Sequence, residues 1–286
     1  MFSRTIRLPQ ATLDPRSETL IMGVINATPD SFSDGGVHFD QEVAVQAGVE
    51  MFRAGAHIVD VGGESTRPGS LPIEPEEELR RTIPVIREIH RRVPDGVISI
   101  DTRRGEVAEA AIEAGAQIVN DVSGFRDDPA LAKVAREAGT GVVVMHMLGL
   151  PKTMQKEIRY QAFPGDIYDF LADRVKFLEE SGIDPGRIVI DPGIGFGKTF
   201  DQNLILVNRL EVFRDLGKPI LLGPSRKAFL GAILDQPDAR ERDTGTLAAI
   251  TAGILRGADI VRVHDVPSAV QACRVADAVL REKVKP

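Results

Sequence analysis

The sequence has 286 residues, of which 43% are hydrophobic and 27% are charged, and these values are typical of a soluble globular protein. Its formal net charge of −7, its 5% of aromatic residues and its lack of basic runs argue against a nucleic-acid partner. A lone cysteine, Cys273, excludes a disulfide within the chain, and the absence of a signal-peptide pattern or a long apolar span predicts a cytoplasmic protein without a membrane partner.

Short apolar runs, rich in β-branched residues, recur along the whole chain and predict strands. Each run is almost continuously apolar, without polar alternation, which is typical of parallel strands buried on both faces. The eight runs are Leu20–Ile25, His57–Val61, Val97–Ile100, Gln117–Val119, Gly141–Met145, Arg187–Ile190, Pro219–Leu222 and Asp259–Val263.

Segments with helical periodicity follow these runs. They are Glu42–Arg53, Pro75–Arg91, Gly105–Ala114, Pro129–Ala138, Asp166–Ser181, Leu204–Leu216, Thr244–Arg256 and Pro267–Lys283. A glycine ends several of them just before the next strand, where it can adopt the left-handed conformation that terminates a helix. These glycines are Gly55, Gly115, Gly139, Gly182, Gly217 and Gly257. The repeated pattern indicates a repeated helix–loop–strand unit.

Alternating strands and helices fit either a barrel or a doubly wound open sheet. The length of 286 residues favours the barrel, and no Gly-x-Gly-x-x-Gly motif follows the first strand, which weakens the open-sheet alternative. We therefore predict an α/β protein with a single-domain (β/α)8 TIM barrel over residues 20–286. Residues 1–19 are predicted to be an N-terminal extension packed on that barrel.

Polar residues stand at the ends of the predicted strands. One such residue could equally be a helix cap, but several at one rim need a ligand to justify their loss of hydration. They are Asn26, Asp101, Asn120, His146, Asp191, Arg262 and His264. Long connections also follow the strands, and barrel enzymes build their sites from such loops.

The residue types at this rim suit a ring with an amide-like edge and an attached phosphate. Carboxylates such as Asp101 and Asp191 accept hydrogen bonds from paired N–H groups, whereas Arg67, Lys227 and Arg262 suit anionic oxygens. The sequence contains no His/Cys pattern with zinc spacing and no Gly-x-x-x-x-Gly-Lys-Ser/Thr phosphate loop.

Nine motifs carry a resemblance to a known family. They are Ile21–Gly36, Asp60–Ser70, Ser99–Thr102, Val119–Gly124, Met145–Met147, Pro151–Gln155, Asp191–Lys198, Gly223–Lys227 and Arg262–Asp265. In residue type and order they are similar to the motifs of the dihydropteroate synthases, a family of pterin-binding TIM barrels. The resemblance runs from about residue 20 to the C-terminus.

The resemblance implies a pterin site inside the mouth of the barrel. Asp191 would accept from the amino and amide N–H groups of the pterin ring, while Asn120 and Asp101 would contact its other nitrogens. Lys227 would donate to the ring carbonyl and an adjacent nitrogen, and Arg262 would stack over the ring. Each role agrees with the hydrogen-bonding capacity of the side chain.

The resemblance also implies sites for two further ligands. The diphosphate of the pterin substrate would contact Asn26, Thr66, Arg67, Arg262 and His264. Mg2+ would bridge this diphosphate and the side-chain oxygen of Asn26, a hard ligand of the kind this ion prefers.

The second substrate, p-aminobenzoate, would lie nearer the surface. Its carboxylate would rest near Ser225, at the start of a helix predicted to run from Arg226 through Phe229. The other side chains implied in this pocket are Phe32, Thr66, Pro68, Phe196 and Lys227.

The activity implied is that of a transferase in folate biosynthesis. It would condense 6-hydroxymethyl-7,8-dihydropterin diphosphate with p-aminobenzoate, giving 7,8-dihydropteroate and diphosphate in an SN1-like reaction. The catalytic residues would be Asp101, which stabilises the cationic ring, with Arg67, Lys227 and His264. The resemblance also implies a sulfonamide target and a homodimer, the usual state of the family.

Two alternatives remain open at this point: a pterin-binding methyltransferase, and a catalytically silent homologue that only binds ligands. The sequence also leaves undecided whether His146 and Asp34 act in the site or serve only packing and turn formation.

Overall fold

The computed structural model describes residues 4–27, 41–66 and 69–284. Among these residues, an antiparallel pair of short strands precedes eight parallel strands. The short pair comprises β1 (Ile6–Arg7) and β2 (Thr12–Leu13). The parallel strands are β3 (Leu20–Asn26), β4 (Ile58–Gly62), β5 (Val97–Asp101), β6 (Ile118–Asp121), β7 (Gly141–Met145), β8 (Ile188–Asp191), β9 (Leu221–Leu222) and β10 (Ile260–Val263).

The parallel strands close into a barrel. Their order is β8-β7-β6-β5-β4-β3-β10-β9, and a parallel bridge between Ile190 and Ile220 brings the two outer strands together. This arrangement confirms the predicted (β/α)8 TIM barrel. Several strands begin one or two residues later than predicted, although residues such as His57 still join the ladder by donating their N–H to the neighbouring strand.

The helices cover the outside of the strands. They are α1 (Gln41–Ala54), α2 (Pro75–Arg92), α3 (Gly105–Glu113), α4 (Ala130–Ala138), α5 (Gly165–Glu180), α6 (Phe200–Asn208), α7 (Ala228–Leu234), α8 (Asp243–Leu255) and α9 (Val266–Arg281). Gly139 and Gly217 adopt the left-handed conformation at helix ends, as the glycine pattern predicted. None of the helices in the described part of the chain is long and apolar enough to cross a membrane.

Two helical segments differ from the prediction. The segment predicted over 204–216 is an α-helix, α6, followed by a 3-10 helix at Leu210–Leu216. α6 begins earlier because Thr199 and Gln202 form a reciprocal capping box. The helix expected from Arg226 begins at Ala228 instead, with Lys227 as its N-cap.

In several strands the residues that face the barrel interior change from apolar to polar along the strand. In β4 the sequence runs from Ile58 to Asp60, and in β10 it runs from Ile260 to Arg262. The apolar residues at the strand beginnings form one buried cluster together with the N-terminal hairpin. Its members are Ile6, Leu8, Leu20, Met22, Ile58, Val97, Ile118, Val143, Val189, Leu221 and Ile260. The apolar end of the barrel is thus closed, and the polar end is left for a site.

Ion pairs and hydrogen bonds fasten the N-terminal segment to that closed end. Arg4 binds Asp259 at 2.9 Å. The N–H and hydroxyl of Thr19 each donate to Asp277 at 2.8 Å, and these atoms are buried.

Shortening Ile6 to alanine should lower the free energy of unfolding by about 2–4 kcal/mol, because this fully buried side chain would leave a cavity against the strand beginnings. Denaturant unfolding would measure the change. The control is Thr12→Ala, which removes an exposed side chain from the same hairpin and should change stability by less than about 0.5 kcal/mol. Equal effects of the two substitutions would contradict a packing role for Ile6.

Candidate active site

Four of the predicted pterin-site residues meet at the carboxyl ends of the strands. Asp101 ends β5, Asn120 lies in β6, Asp191 ends β8 and Arg262 lies in β10. Asp101 and Asn120 are paired in the strand register. Arg262 donates from Nη2 to Asp101 at 3.0 Å. The barrel therefore brings side chains from four strands to one mouth.

Asp60 belongs to this cluster, although the sequence analysis did not single it out. It lies in β4 and its side chain is completely buried. Its Oδ2 accepts from Nε of Arg262 at 2.8 Å and from Nδ2 of Asn120 at 3.0 Å. One sequence signal could have found it: an aspartate between Val59 and Val61, inside an otherwise apolar strand, is a buried charge that requires partners.

Burial makes the two strand-end carboxylates reluctant to ionise. The pKa of Asp191 is raised to about 6 by burial, against the lowering effects of a hydrogen bond from the N–H of Gly193 and of the nearby Lys227. The pKa of Asp101 is also raised, first by burial and then by the Asp60 carboxylate. A ligand that brings positive charge or N–H donors would therefore favour the ionised form of both carboxylates.

Lys227 and Phe196 lie together beside these carboxylates. Nζ of Lys227 is 4.1 Å from the centre of the Phe196 ring, a cation–π distance. The side chain of Lys227 passes over Gly195. A Cβ added at Gly195 would lie 3.0 Å from Cδ of Lys227. Gly195 also has a φ of +84°, so glycine is favoured here both by backbone conformation and by space.

Ser225 and His264 are joined by two hydrogen bonds. Oγ of Ser225 is 2.9 Å from Nδ1 of His264, and it accepts from the backbone N–H of His264 at 3.2 Å. The pKa of His264 is lowered to about 3 by burial and then by the positive charges of Arg226, Arg262 and Lys227. The ring is thus neutral, and one of its two nitrogens carries a proton and acts as a hydrogen-bond donor.

The loop after β8 is anchored by a buried lysine. Nζ of Lys198 donates to the carbonyl of Phe196 at 3.1 Å and lies 2.9 Å from Nδ1 of His146. The His146 ring packs against Tyr160 and Phe170. Burial and Lys198 lower the pKa of His146, so its ring is a neutral acceptor. In this structure His146 therefore packs and anchors the loop.

We expect Lys198→Met to change the pH dependence of stability. Burial lowers the pKa of Lys198 from 10.5 to about 7, whereas the unfolded chain keeps this proton to higher pH. The wild-type protein therefore gains stability from this group as pH rises from about 7 towards 10. The unfolding free energy of the wild type relative to Lys198→Met should rise by about 2 kcal/mol between about pH 7.5 and 9.5.

Denaturant unfolding at several pH values would measure this difference, with the exposed Lys176→Met as a matched lysine removal. A difference that stays constant with pH would show that Lys198 remains charged in the folded protein.

Ion pairs hold the loop after β4 against two other elements. Glu64 contacts Arg103 at 2.5 Å and Arg104 at 3.2 Å, and Arg104 also binds the buried Glu78. Beside this network lies a small, partly open pocket. Its lining comprises Glu64, Thr66, Glu78, Asp101, Thr102, Arg103 and Val122. Thr66 and Asp101 thus border the same space.

The remaining predicted residues are placed only in part. Asn26 is at the end of β3, with Gly62 opposite it in the register. Three predicted site residues, Phe32, Arg67 and Pro68, lie outside the described part of the chain, as does Asp34, whose role the sequence left undecided. Among the described residues, no three His, Cys, Asp or Glu side chains converge as a metal site.

Comparisons with known proteins agree with this geometry. The family described as pterin binding enzyme matches residues 22–264. Dihydropteroate synthase of Synechocystis sp. is 45% identical over 98% of this chain and 96% of its own length.

Two solved structures have the same fold over nearly the whole chain. The Yersinia pestis dihydropteroate synthase with a sulfonamide drug has a TM-score of 0.91 and 36% identity, covering 96% of this chain and 98% of its own. The Xanthomonas albilineans dihydropteroate synthase with 4-aminobenzoic acid has a TM-score of 0.90 and 39% identity, covering 97% and 98%. The chain therefore belongs to the dihydropteroate synthase family of pterin-binding enzymes.

Proposed function

We propose that this protein condenses 6-hydroxymethyl-7,8-dihydropterin diphosphate with p-aminobenzoate, releasing 7,8-dihydropteroate and diphosphate. The observation that carries the proposal is the cluster of Asp101, Asn120, Asp191 and Arg262 at the mouth of the barrel. Its buried carboxylates need a ligand with several N–H donors, and a pterin ring has such an edge. The family to which the chain belongs supports the same substrates.

The pterin ring binds across the buried carboxylates. Asp191 accepts from the amino and amide N–H groups of the ring, which is favourable for a carboxylate with a raised pKa because it replaces lost hydration. Lys227, whose side chain passes close to Gly195, donates to the ring carbonyl. The Arg262 guanidinium, fixed by Asp60 and Asp101, offers its flat face to the ring.

The diphosphate lies where cationic and donor groups surround the ring methylene. His264 is neutral and contributes an N–H donor without a full charge. Bound diphosphate would raise the pKa of His264, because an anion favours the imidazolium. Thr66, which lines the pocket beside Asp101, donates a hydrogen bond from its hydroxyl to the diphosphate. Arg67 completes the anion site in the proposal.

The oxygen ligands that Mg2+ requires are complete at this site only when the diphosphate substrate is bound. Asn26 offers a side-chain oxygen, the kind of hard ligand that Mg2+ accepts, and the diphosphate brings further oxygens. No acidic cluster among the described residues would hold the ion alone. When bound, Mg2+ supplies charge neutralisation at the leaving group.

The reaction breaks the bond between the methylene carbon and the diphosphate oxygen, and it forms a bond from that carbon to the arylamine nitrogen. The amine then loses one proton to solvent. We propose an SN1-like order, in which the ring system becomes cationic before the amine attacks. Asp101 lies in the mouth as the carboxylate that stabilises this cation. An arylamine is a competent nucleophile, so no strong base is required.

The aminobenzoate binds at the outer part of the mouth. Phe196 and Lys227, in cation–π contact, form one side of this pocket, and the backbone at Ser225 lies next to it. The Ser225 hydroxyl already bonds to His264, and the N–H groups of Arg226 and Lys227 already donate within the protein. The aminobenzoate carboxylate is therefore bound by the backbone N–H of Ser225 and by the Lys227 side chain. The remaining pocket residues in the proposal are Phe32, Thr66 and Pro68.

The proposal is tested by measuring diphosphate release from the dihydropterin diphosphate, with and without p-aminobenzoate, and with Mg2+ or a chelator. Release that requires both aminobenzoate and Mg2+, with 7,8-dihydropteroate formed in equal amount, is the expected result. Pterin binding without release under any condition would instead favour a methyltransferase or a silent homologue, and the catalytic roles would have to be withdrawn.

A homodimer is a further part of the proposal. On α9, Val275 and Val279 are 64% and 61% exposed, whereas Val270 packs against the core. Exposed apolar side chains on one helix suit a subunit contact. Sedimentation velocity should show a species of about twice the chain mass of 31.0 kDa, and Val275→Asp with Val279→Asp should convert it to the monomer. A monomeric wild-type protein would contradict this part.

A further inference from the structure

Asp60 is a charge in the interior of the barrel, one layer below the mouth. In β4 it alternates with Ile58, which belongs to the apolar cluster, and it pairs in the register with Val24 and Ser99 on either side. Its side chain has no exposed surface. A carboxylate in such a place is costly unless other groups bind it, so its partners indicate what it is for.

Its partners are two residues of the proposed pterin site. One oxygen, Oδ2, lies 2.8 Å from Nε and 2.7 Å from Nη2 of Arg262, and 3.0 Å from Nδ2 of Asn120. The other oxygen, Oδ1, is buried and has no hydrogen-bond partner among the described residues. Asp60 therefore links β10 and β6 through β4.

We propose that Asp60 is a positioning residue for the pterin reaction: it fixes Arg262 and Asn120 in the orientations that the ring requires. The inference rests on the proposed function, because it assigns Asp60 to the same reaction. Asp60 binds the Arg262 guanidinium through both Nε and Nη2, and Nη2 also donates to Asp101. These contacts fix the orientation of the guanidinium plane. The rotamer freedom of a long arginine is thus lost on folding and need not be lost again on binding.

The Asn120 amide is fixed by the same oxygen. Since its Nδ2 donates to Asp60, its Oδ1 is the atom left to face a ring N–H. Without Asp60 the Asn120 amide could flip and place its Nδ2–H against the N–H of the ring, which would be repulsive. Asp60 therefore selects the chemical face of Asn120 as well as the plane of Arg262.

Asp60 also acts on Asp101 through charge. The charged groups around Asp101 are Asp60 on β4, Arg262 on β10, Glu78 on α2 and Asp121 on β6. Of these, the Asp60 carboxylate is the largest electrostatic contribution that raises the pKa of Asp101. Removing that charge should let Asp101 ionise at lower pH.

The test is Asp60→Asn, which keeps the volume of the side chain and removes its charge. Affinity for 6-hydroxymethylpterin diphosphate, measured by calorimetry, should fall by at least about tenfold, while KM for p-aminobenzoate changes by less than about twofold. The acid limb of the kcat/KM profile for the pterin substrate should move to lower pH. A role in stability alone would lower the melting temperature without moving that limb.

Ser99→Ala is the matched control. Ser99 lies opposite Asp60 on β5. Its buried hydroxyl has no hydrogen-bond partner among the described residues, so it binds neither Arg262 nor Asn120. This variant should bind the pterin as the wild type does. Asp60→Asn with wild-type pterin affinity and an unmoved acid limb would overturn the inference.

A measurement on the wild-type protein covers the case in which Asp60→Asn does not fold. In the absence of pterin, NMR should show an arginine Nε–H signal protected from exchange that disappears in Arg262→Lys. Absence of such a signal would overturn the inference by itself. Failure of the proposed function is distinguishable, because the wild-type protein would then neither bind the pterin diphosphate nor form dihydropteroate.

Discussion

Replacing Asp191 by asparagine is expected to weaken pterin binding by about 100-fold or more. Charge-assisted hydrogen bonds from two N–H groups of the ring would be lost, each worth about 1.5–3 kcal/mol. The asparagine oxygen can still accept from the N–H of Gly193, as Oδ1 of Asp191 does at 2.7 Å. Its amide group would then point an N–H at the ring, which adds a repulsive contact. The loop should therefore stay in place while recognition fails.

Calorimetry with 6-hydroxymethylpterin diphosphate would measure the loss. The matched control is Asp201→Asn, the same chemical change at an exposed position of α6. An affinity within about threefold of the wild type for Asp191→Asn would show that the ring does not bind at this carboxylate.

The same residue gives the binding a pH dependence of defined sign. The pKa of Asp191 is raised to about 6 by burial, and binding requires the ionised carboxylate. Affinity in the wild type should therefore fall as pH decreases through about 6, by up to about tenfold per pH unit below it. In Asp191→Asn this part of the pH dependence should be absent, because the amide does not titrate.

Local signals in the sequence were sufficient for the barrel and for its rim. Strands such as β7 are continuous apolar runs, and residues such as Asp101 and Asp191 stand out because polarity appears abruptly where the run ends. In a parallel barrel these ends all meet at one mouth, so a one-dimensional pattern gives a three-dimensional cluster.

Residues whose role depends on distant partners were harder to find. Asp60 is separated from Arg262 by 202 positions, and only the closed barrel places them 2.7 Å apart. Lys198 similarly acquires its role from His146, 52 positions away. The pairing of charge with burial is visible only when the strands are assembled, since polarity alone is compatible with an exposed position.

The helix boundaries around the site follow from short-range chemistry that apolar periodicity does not contain. The capping box of Thr199 and Gln202 starts α6 before the first residue of the apolar pattern. α7 is only seven residues long, so it shows too few turns to produce a clear periodic signal. α6 and α7 directly follow loops that form the mouth of the barrel. The apolar pattern therefore could not predict the backbone conformation around Ser225.

Asp101→Asn is expected to separate catalysis from binding: kcat should fall by about 100-fold, while pterin affinity stays within about threefold of the wild type. Burial and the Asp60 carboxylate raise the pKa of Asp101, so the free site already tolerates a neutral group there, and asparagine imitates it. The negative charge becomes important only when the ring turns cationic, which happens on the way to the transition state.

Stability provides the control for this variant. Asp101 shares one guanidinium with Asp60, so the wild-type cluster holds two buried carboxylates for the single charge of Arg262. Asparagine imitates the protonated form of Asp101 and also removes any repulsion with Asp60 when Asp101 is ionised, so the free energy of unfolding should not decrease. Single-turnover rates, together with calorimetry and denaturant unfolding, would measure the three quantities. A kcat equal to that of the wild type would assign cation stabilisation to another group, and a loss of affinity with that unchanged kcat would make Asp101 a residue of ground-state recognition.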